Sequence, residues 1–283
     1  MYTILSKKML AQGIVLMEVE APRVARSARP GQFVMVRAHE KGERIPLTIC
    51  DYNPLRGTVT IVTQIVGVSS RLICAKEEGS CLTDFTGPLG MASEFVCESP
   101  EVLKSRRFLF LAGGLGAAPV YPQLKYLHQM GAQVDVMVAA KSKDMLILID
   151  EMRAVCDHLY IATDDGSKGY HGLITGLLKQ HLATGVYYDQ AVAIGPMVMM
   201  KFVALTAKEF NLPLIVSLNT IMVDGTGMCG ACRVTVGGKT KFACVDGPEF
   251  NAYEVDFDEA MRRQLMYKDM ETAADHVCKI GRE

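Results

Sequence analysis

Residues 108–112, Phe-Leu-Phe-Leu-Ala, run straight into Gly113-Gly-Leu-Gly-Ala-Ala-Pro119, after which Val120, Leu124 and Leu127 share one helical face. An apolar run of strand length, a glycine turn and an amphipathic stretch predict strand, turn and helix. Gly131 stands where a helix C-terminus needs a left-handed residue. Further short apolar runs at 134–139, 159–162, 191–194 and 214–217 are separated by segments of helical length. Strands alternating with helices specify a parallel, doubly wound α/β sheet covered on both faces.

The rhythm differs on either side. Up to about residue 103, β-branched runs such as Gly13–Glu20, Phe33–Ala38 and Thr58–Ile65 are bounded by Gly, Pro or Asn. Short strands at such spacing predict a small antiparallel barrel or sandwich. From about 219 the chain becomes rich in glycine and cysteine, and Arg233–Val236 with Thr240–Ala243 would form a hairpin around Gly237-Gly238. Asp256 opens an acidic start to a segment that continues with Arg262, Arg263 and Lys268, an order that suits a helix and its dipole. Three units are therefore expected, at 1–103, 104–218 and 219–283.

The 30 basic and 31 acidic residues leave a net charge of −1, which argues against a nucleic-acid binder. The longest charge-free stretch, Phe108 to Leu124, carries three glycines and two prolines and cannot cross a membrane as one helix. The first ten residues lack the apolar core of a secretory signal, so the expected location is the cytoplasm. In a reducing compartment, nine cysteines read as ligands or redox groups before disulfides.

Several loops carry candidate chemistry. Glycines in the turn after 108–112 would let a pyrophosphate approach the backbone at a helix N-terminus, although Ala118-Pro119 replaces the third glycine of the usual fingerprint. Asp164-Asp165-Gly-Ser167 follows the run at 159–162, where acids can accept from ribose hydroxyls and repel a 2′-phosphate; simple turn chemistry is the competing explanation. Gly195-Pro196 ends the run at 191–194 at the same sheet edge. Among the early strands, Arg44-Ile-Pro-Leu-Thr48 and Gly67-Val-Ser-Ser70 are polar insertions. They would suit a flavin and its phosphates, or be surface loops.

The cysteine loop is the strongest feature. It reads Asp224-Gly-Thr-Gly-Met-Cys229-Gly-Ala-Cys232, with Cys244 after eleven intervening residues. That is plant-type [2Fe–2S] spacing with aspartate in the place of the first cysteine. Structural zinc would want four Cys or His ligands. A redox Cys229/Cys232 pair would leave Cys244 unused, and three inert buried thiols are the plainest alternative. Cys50, Cys74, Cys81, Cys97, Cys156 and Cys278 lack ligand spacing and are expected to be core or surface thiols.

Taken together, these motifs resemble the ferredoxin–NADP⁺ reductase superfamily and, within it, the electron-transfer subunits of class B dihydroorotate dehydrogenase. Stretches 44–51, 112–122, 163–169, 193–201, 224–238 and 241–271 are most similar to small subunits of NADH-dependent reduced ferredoxin:NADP⁺ oxidoreductases, also called sulfide dehydrogenase subunits. The resemblance implies FAD against Arg44, Pro46, Leu47 and Thr48, its phosphates near Gly67, Ser69 and Ser70, and NAD(H) at Gly114, Gly116, Asp164, Asp165 and Gly195. It implies a [2Fe–2S] cluster on Asp224, Cys229, Cys232 and Cys244. It also implies a larger flavin and iron–sulfur subunit as heterodimer partner, with ferredoxin and NADP⁺ reached through the complex by electron bifurcation. No side chain needs to act as acid or base. Two departures stand out: Arg44 lies one residue farther from Thr48 than the superfamily spacing, and Ile194 replaces a frequent cysteine. A dihydroorotate dehydrogenase partner, or a non-enzymatic zinc or redox-sensing module, are the other readings.

Overall fold

A computed structural model describes residues 1–277; Cys278 lies outside them. Strands β1 (Tyr2–Ala11), β2 (Ile14–Glu20), β3 (Phe33–Arg37), β4 (Ile45–Asn53), β5 (Thr58–Gln64), β6 (Cys81–Leu82) and β7 (Asp84–Leu89) form a seven-stranded sheet in the order β6-β1-β2-β5-β4-β3-β7. All its pairings are antiparallel, and it curls into a near-closed barrel around Ile4, Met17, Val34, Ile49, Ile61 and Phe85. Helices α1 (Pro22–Ser27) and α2 (Val68–Cys74) flank it.

The Arg44–Thr48 segment is strand as well as site, because β4 begins at Ile45. Proline is normally excluded from inner strands for want of an N–H. Here β4 pairs with β5 only from Ile49 onward, so at Pro46 it has a neighbour on one side alone, Met35 of β3.

After α3 (Pro100–Lys104) the parallel sheet begins, as expected from the apolar runs. It contains β8 (Arg107–Gly113), β9 (Gln133–Ala140), β10 (His158–Thr163), β11 (Tyr170–His171), β12 (Gln190–Ile194) and β13 (Leu214–Ser217). Phe108, Phe110, Val136 and Val138 face α4 (Ala117–Met130) and α5 (Ile149–Arg153). Leu109, Leu111 and Met137 face α6 (Ile174–Leu182) and α7 (Met197–Glu209). Burial on both faces is why these strands are apolar throughout. Gly131, at φ +81°, ends α4 as its C-cap.

The cysteine-rich segment is followed by a hairpin of β14 (Arg233–Val236) and β15 (Lys239–Phe242), turned by Gly237 and Gly238 at φ +57° and +73°. Its second strand starts one residue earlier than the sequence suggests. The chain then returns to the parallel sheet, where β16 (Glu249–Asn251) adds antiparallel to β13. Asp256 caps α8 (Phe257–Gln264) by accepting from the Glu259 amide, and α9 (Lys268–Val277) follows.

Candidate functional site

The order β11-β10-β9-β8-β12-β13-β16 reverses between β8 and β12, and ligands of such sheets sit outside the strand ends at that point. Glycine is required on both sides of the crevice. A Cβ on Gly116 would lie 2.1 Å from the Ile194 carbonyl oxygen, and one on Gly195 would lie 3.1 Å from the Gly113 Cα. The two turns therefore nest backbone to backbone. Gly114, at φ +54°, faces open space, and no side chain caps the first turn of α4. The Ala117 amide donates to the Gly114 carbonyl and Pro119 has no N–H, so an anion would meet the backbone of the open glycine turn. Asp164 and Asp165 are exposed just past β10. Ser167 donates to Asp165 Oδ1 through its amide (2.9 Å) and hydroxyl (2.6 Å), and these bonds hold the carboxyl below its ordinary range. The thioether of Met199, on α7, packs into the crevice against Gly113 and Gly195.

On the barrel, Pro46 and Thr48 are half-buried on the outer side of β4, whereas Leu47 turns inward into the barrel core. Arg44 forms an ion pair with Asp84 at the start of β7. Burial opposes the charge on Asp84, but hydrogen bonds from Thr86 and Arg44 outweigh it and hold the carboxyl below its usual range. The Arg44 guanidinium thus has an acidic partner in place. Ser70 Oγ accepts from the Val66 and Gly67 amides at 2.9 and 3.0 Å, and Ser69 Oγ donates to Glu43 at 3.0 Å. Both hydroxyls shape the turn. A Cβ on Gly67 would touch nothing within 4 Å, so the entry to α2 is open to a ligand.

The cysteine loop bends at Gly225, Gly227 and Gly230, at φ +79°, +85° and +68°. Asp224 organises it: Oδ2 accepts from the Cys229 amide at 2.8 Å, and Oδ1 from the Thr226 hydroxyl at 3.0 Å. Hydrogen bonds, the Thr226 amide foremost, hold its carboxyl below the ordinary range, so it is an anion at neutral pH. Cys232 and Cys244 are 1% exposed and their sulfurs lie 3.2 Å apart, while Cys229 is exposed. Burial, followed by the Cys232 contact, pushes the Cys244 thiol up to about 12. Such thiols ionise when a metal displaces their protons.

Among the described residues no group of three or more His, Cys, Asp or Glu converges to hold a single metal ion. A [2Fe–2S] cluster needs its donors in pairs, one pair per iron, and the loop supplies them as Cys232 with Cys244 and Asp224 beside Cys229. The donor set fits the cluster.

The loop is seated on the barrel. A Cβ on Gly225 would lie 2.7 Å from Met35 Cγ and 3.0 Å from Leu89 Cδ1. Phe33 and Met35 belong to the core around β13 and the cysteines, while Val34 and Val36 fill the barrel. None of Met35, Leu89 or Met199 is singled out by sequence motif. One signal was available: β3 is apolar on both faces, and an antiparallel strand is so only when its outer face is covered.

A family model for the iron–sulfur cluster binding domain of dihydroorotate dehydrogenase B matches residues 219–256. A dihydroorotate dehydrogenase B electron-transfer subunit homologue of Thermotoga maritima is 44% identical over 95% of this chain and 92% of its own length. The chain belongs to the family of dihydroorotate dehydrogenase B electron-transfer subunits and their homologues. The superfamily resemblance and the expected fold are thereby borne out. An uncharacterized Clostridium beijerinckii protein, from the adh 3′ region, is 54% identical over 97% of this chain and 93% of its own length. Among solved structures, a chain of the NADH-dependent reduced ferredoxin–NADP oxidoreductase, described for flavin-based electron bifurcation, superposes with a TM-score of 0.89. It is 42% identical, and the match covers 97% of this chain and 96% of that one. Among the described residues no helix is long and apolar enough to cross a membrane.

Proposed function

We propose that this family member takes hydride from NADH and passes single electrons to a larger subunit. Bound FAD and a [2Fe–2S] cluster would supply that conversion of a two-electron donor into one-electron steps. The observation that carries the reading is the seat of the cysteine loop: Gly225 rests on Met35, and Met35 pairs across the sheet with Pro46 on the candidate flavin strand. Residues 1–103 would serve FAD, 104–218 NAD(H) and 219–283 the cluster.

Thr48 would orient the flavin ring, and the open first turn of α2 at Gly67 would receive its phosphates. Gly114 and the start of α4 would hold the dinucleotide pyrophosphate, with Asp164 and Asp165 on the ribose. Phe33 and Met35 keep water from the space between β3 and the cysteine loop. Asp224, Cys229, Cys232 and Cys244 would hold the cluster. The other described cysteines are also free, which suits a reducing cytoplasm.

Gly116→Val tests the dinucleotide crevice. With Ile194 O where the new side chain must go, KM for NADH should rise about tenfold or more, because a small misplacement near the reacting groups costs up to about a hundredfold. FAD content should stay unchanged, and an unaltered KM would refute the placement. Exchanging Asp165 for arginine should shift kcat/KM toward NADPH by about tenfold or more, since a like-charge clash with the 2′-phosphate is worth several kcal/mol. Unchanged preference in flavin-reduction assays would move the ribose site elsewhere.

The partner would be a larger flavin and iron–sulfur subunit, with ferredoxin and NADP⁺ handled by the heterodimer. The names of several relatives favour a second reading, in which the partner is a dihydroorotate dehydrogenase catalytic subunit. Asp224 in place of a fourth cysteine speaks for the first. Affinity purification from native cells separates them by which subunit comes down with the chain.

A further inference from the structure

Glu249 stands at the meeting point of all three units. Its Oε1 accepts from Ser93 Oγ, in the segment leaving the barrel, and from Gln123 Nε2 on α4, each at 3.0 Å. It begins β16, and the residues just before it are stitched in both directions: the Met91 amide donates to the Gly247 carbonyl, and the Leu218 amide to the Pro248 carbonyl. A Cβ on Gly31 of the barrel would lie 3.1 Å from the same Oε1.

Among the described residues no cation balances this carboxyl. Lys125, on α4, is held by Asp51 of β4 at 2.9 Å. Arg106 lies beyond Gln190, where Glu98 takes it. The charged side chain that does face Glu249 is another acid, Glu94, which lines the same small cavity with Phe95, Gln190, Val192 and Ile215. The cavity measures about 20 Å³, room for one water. Beside it, Gln123 Oε1 is buried without a hydrogen-bond partner. An ionised Glu249 has only acceptors to offer. A neutral one has an O–H to donate, either to water in the cavity or to the Gln123 amide oxygen once that amide is turned.

We propose that Glu249 is a positioning residue for hydride transfer: as a neutral acid it locks barrel, parallel sheet and cluster module together, and its ionisation admits water to the seam and loosens it. The hydride-transfer part rests on the function proposed above. Burial, partly offset by Ser93 and Gln123 and reinforced by Glu94, raises this carboxyl to about 7. A raised acid favours the folded state when protonated. Its contribution is full below the ordinary glutamate value near 4.5 and is lost as pH climbs through about 7.

The test uses the FAD- and cluster-loaded chain, as wild type, Glu249→Gln and Glu249→Ala, between pH 5.5 and 8.5. Wild-type flavin reduction by NADH should slow several-fold as pH rises through neutrality, a fraction of the penalty of about a hundredfold for a full ångström of misplacement. Its Tm should fall over the same range by several degrees. Glu249→Gln, which keeps an amide donor and cannot ionise, should flatten both profiles. Glu249→Ala should be slow at every pH with KM for NADH unchanged. Parallel wild-type and Glu249→Gln profiles in both assays would overturn the proposal. Should NADH fail to reduce the wild-type flavin at any pH, the function proposed above fails instead, and the Tm profiles still decide whether Glu249 binds a proton at the seam.

Discussion

Serine at Cys232 is expected to strip iron and acid-labile sulfide from the chain while FAD remains. The thiol is 1% exposed and 3.2 Å from its Cys244 neighbour, so removing either sulfur leaves one iron without a donor pair. A serine hydroxyl is a poor substitute at a soft-metal site. Iron and sulfide should fall from about two each per chain to near zero, and the reduced sample should lose its cluster EPR signal. The candidate flavin strand, β4, belongs to the barrel sheet and not to the cysteine loop, so NADH should still bleach the flavin. Retention of both irons in Cys232→Ser and Cys244→Ser would remove these cysteines from the site.

The other large effect is on stability. Asp135, 1% exposed at the start of β9, accepts from Arg107 at 2.7 Å, Tyr188 Oη at 2.6 Å and His158 Nδ1 at 2.8 Å. His181 Nε2 lies 2.8 Å from the same tyrosine oxygen, extending the network to α6. Burial alone would raise the Asp135 carboxyl, but the bonds from Tyr188, His158 and Arg107 outweigh it and hold it below its ordinary range. Asp135→Ala leaves the Arg107 charge without its carboxylate and the buried Tyr188 hydroxyl with His181 alone. Breaking such a group costs about 3–5 kcal/mol when fully buried, and about 3 is expected here because Arg107 and His158 reach solvent. The unfolding transition of the parallel sheet should drop by about 6–10 °C.

The pH dependence has a definite sign. A depressed carboxyl stabilises above its unfolded value near 3.8 and loses that contribution as pH falls. Wild type should therefore lose more stability than Asp135→Ala on acidification. Equal denaturation curves for the two proteins would show the network to be dispensable.

The parallel sheet was the most legible part of the sequence, because strands buried on both faces read as unbroken apolar runs. Gly131 marked the end of α4 because the C-cap needs φ +81°, which glycine adopts without strain. The barrel was harder. Strand β1 mixes Ser6, Lys7 and Lys8 with its apolar residues, and Pro46 argues against a strand until the one-sided pairing of β4 is known. The cysteine spacing marked the candidate cluster loop, since its proposed donors are close in sequence. What stayed hidden depends on distant pairings. Asp84 claims Arg44 from forty residues on. Glu249 meets Ser93 and Gln123 only through the fold.

Cofactor content after purification without oxygen tests the proposed function most directly. The chain should carry about one FAD, two irons and two acid-labile sulfides, all in the same sample. One zinc per chain with neither flavin nor sulfide would contradict that function.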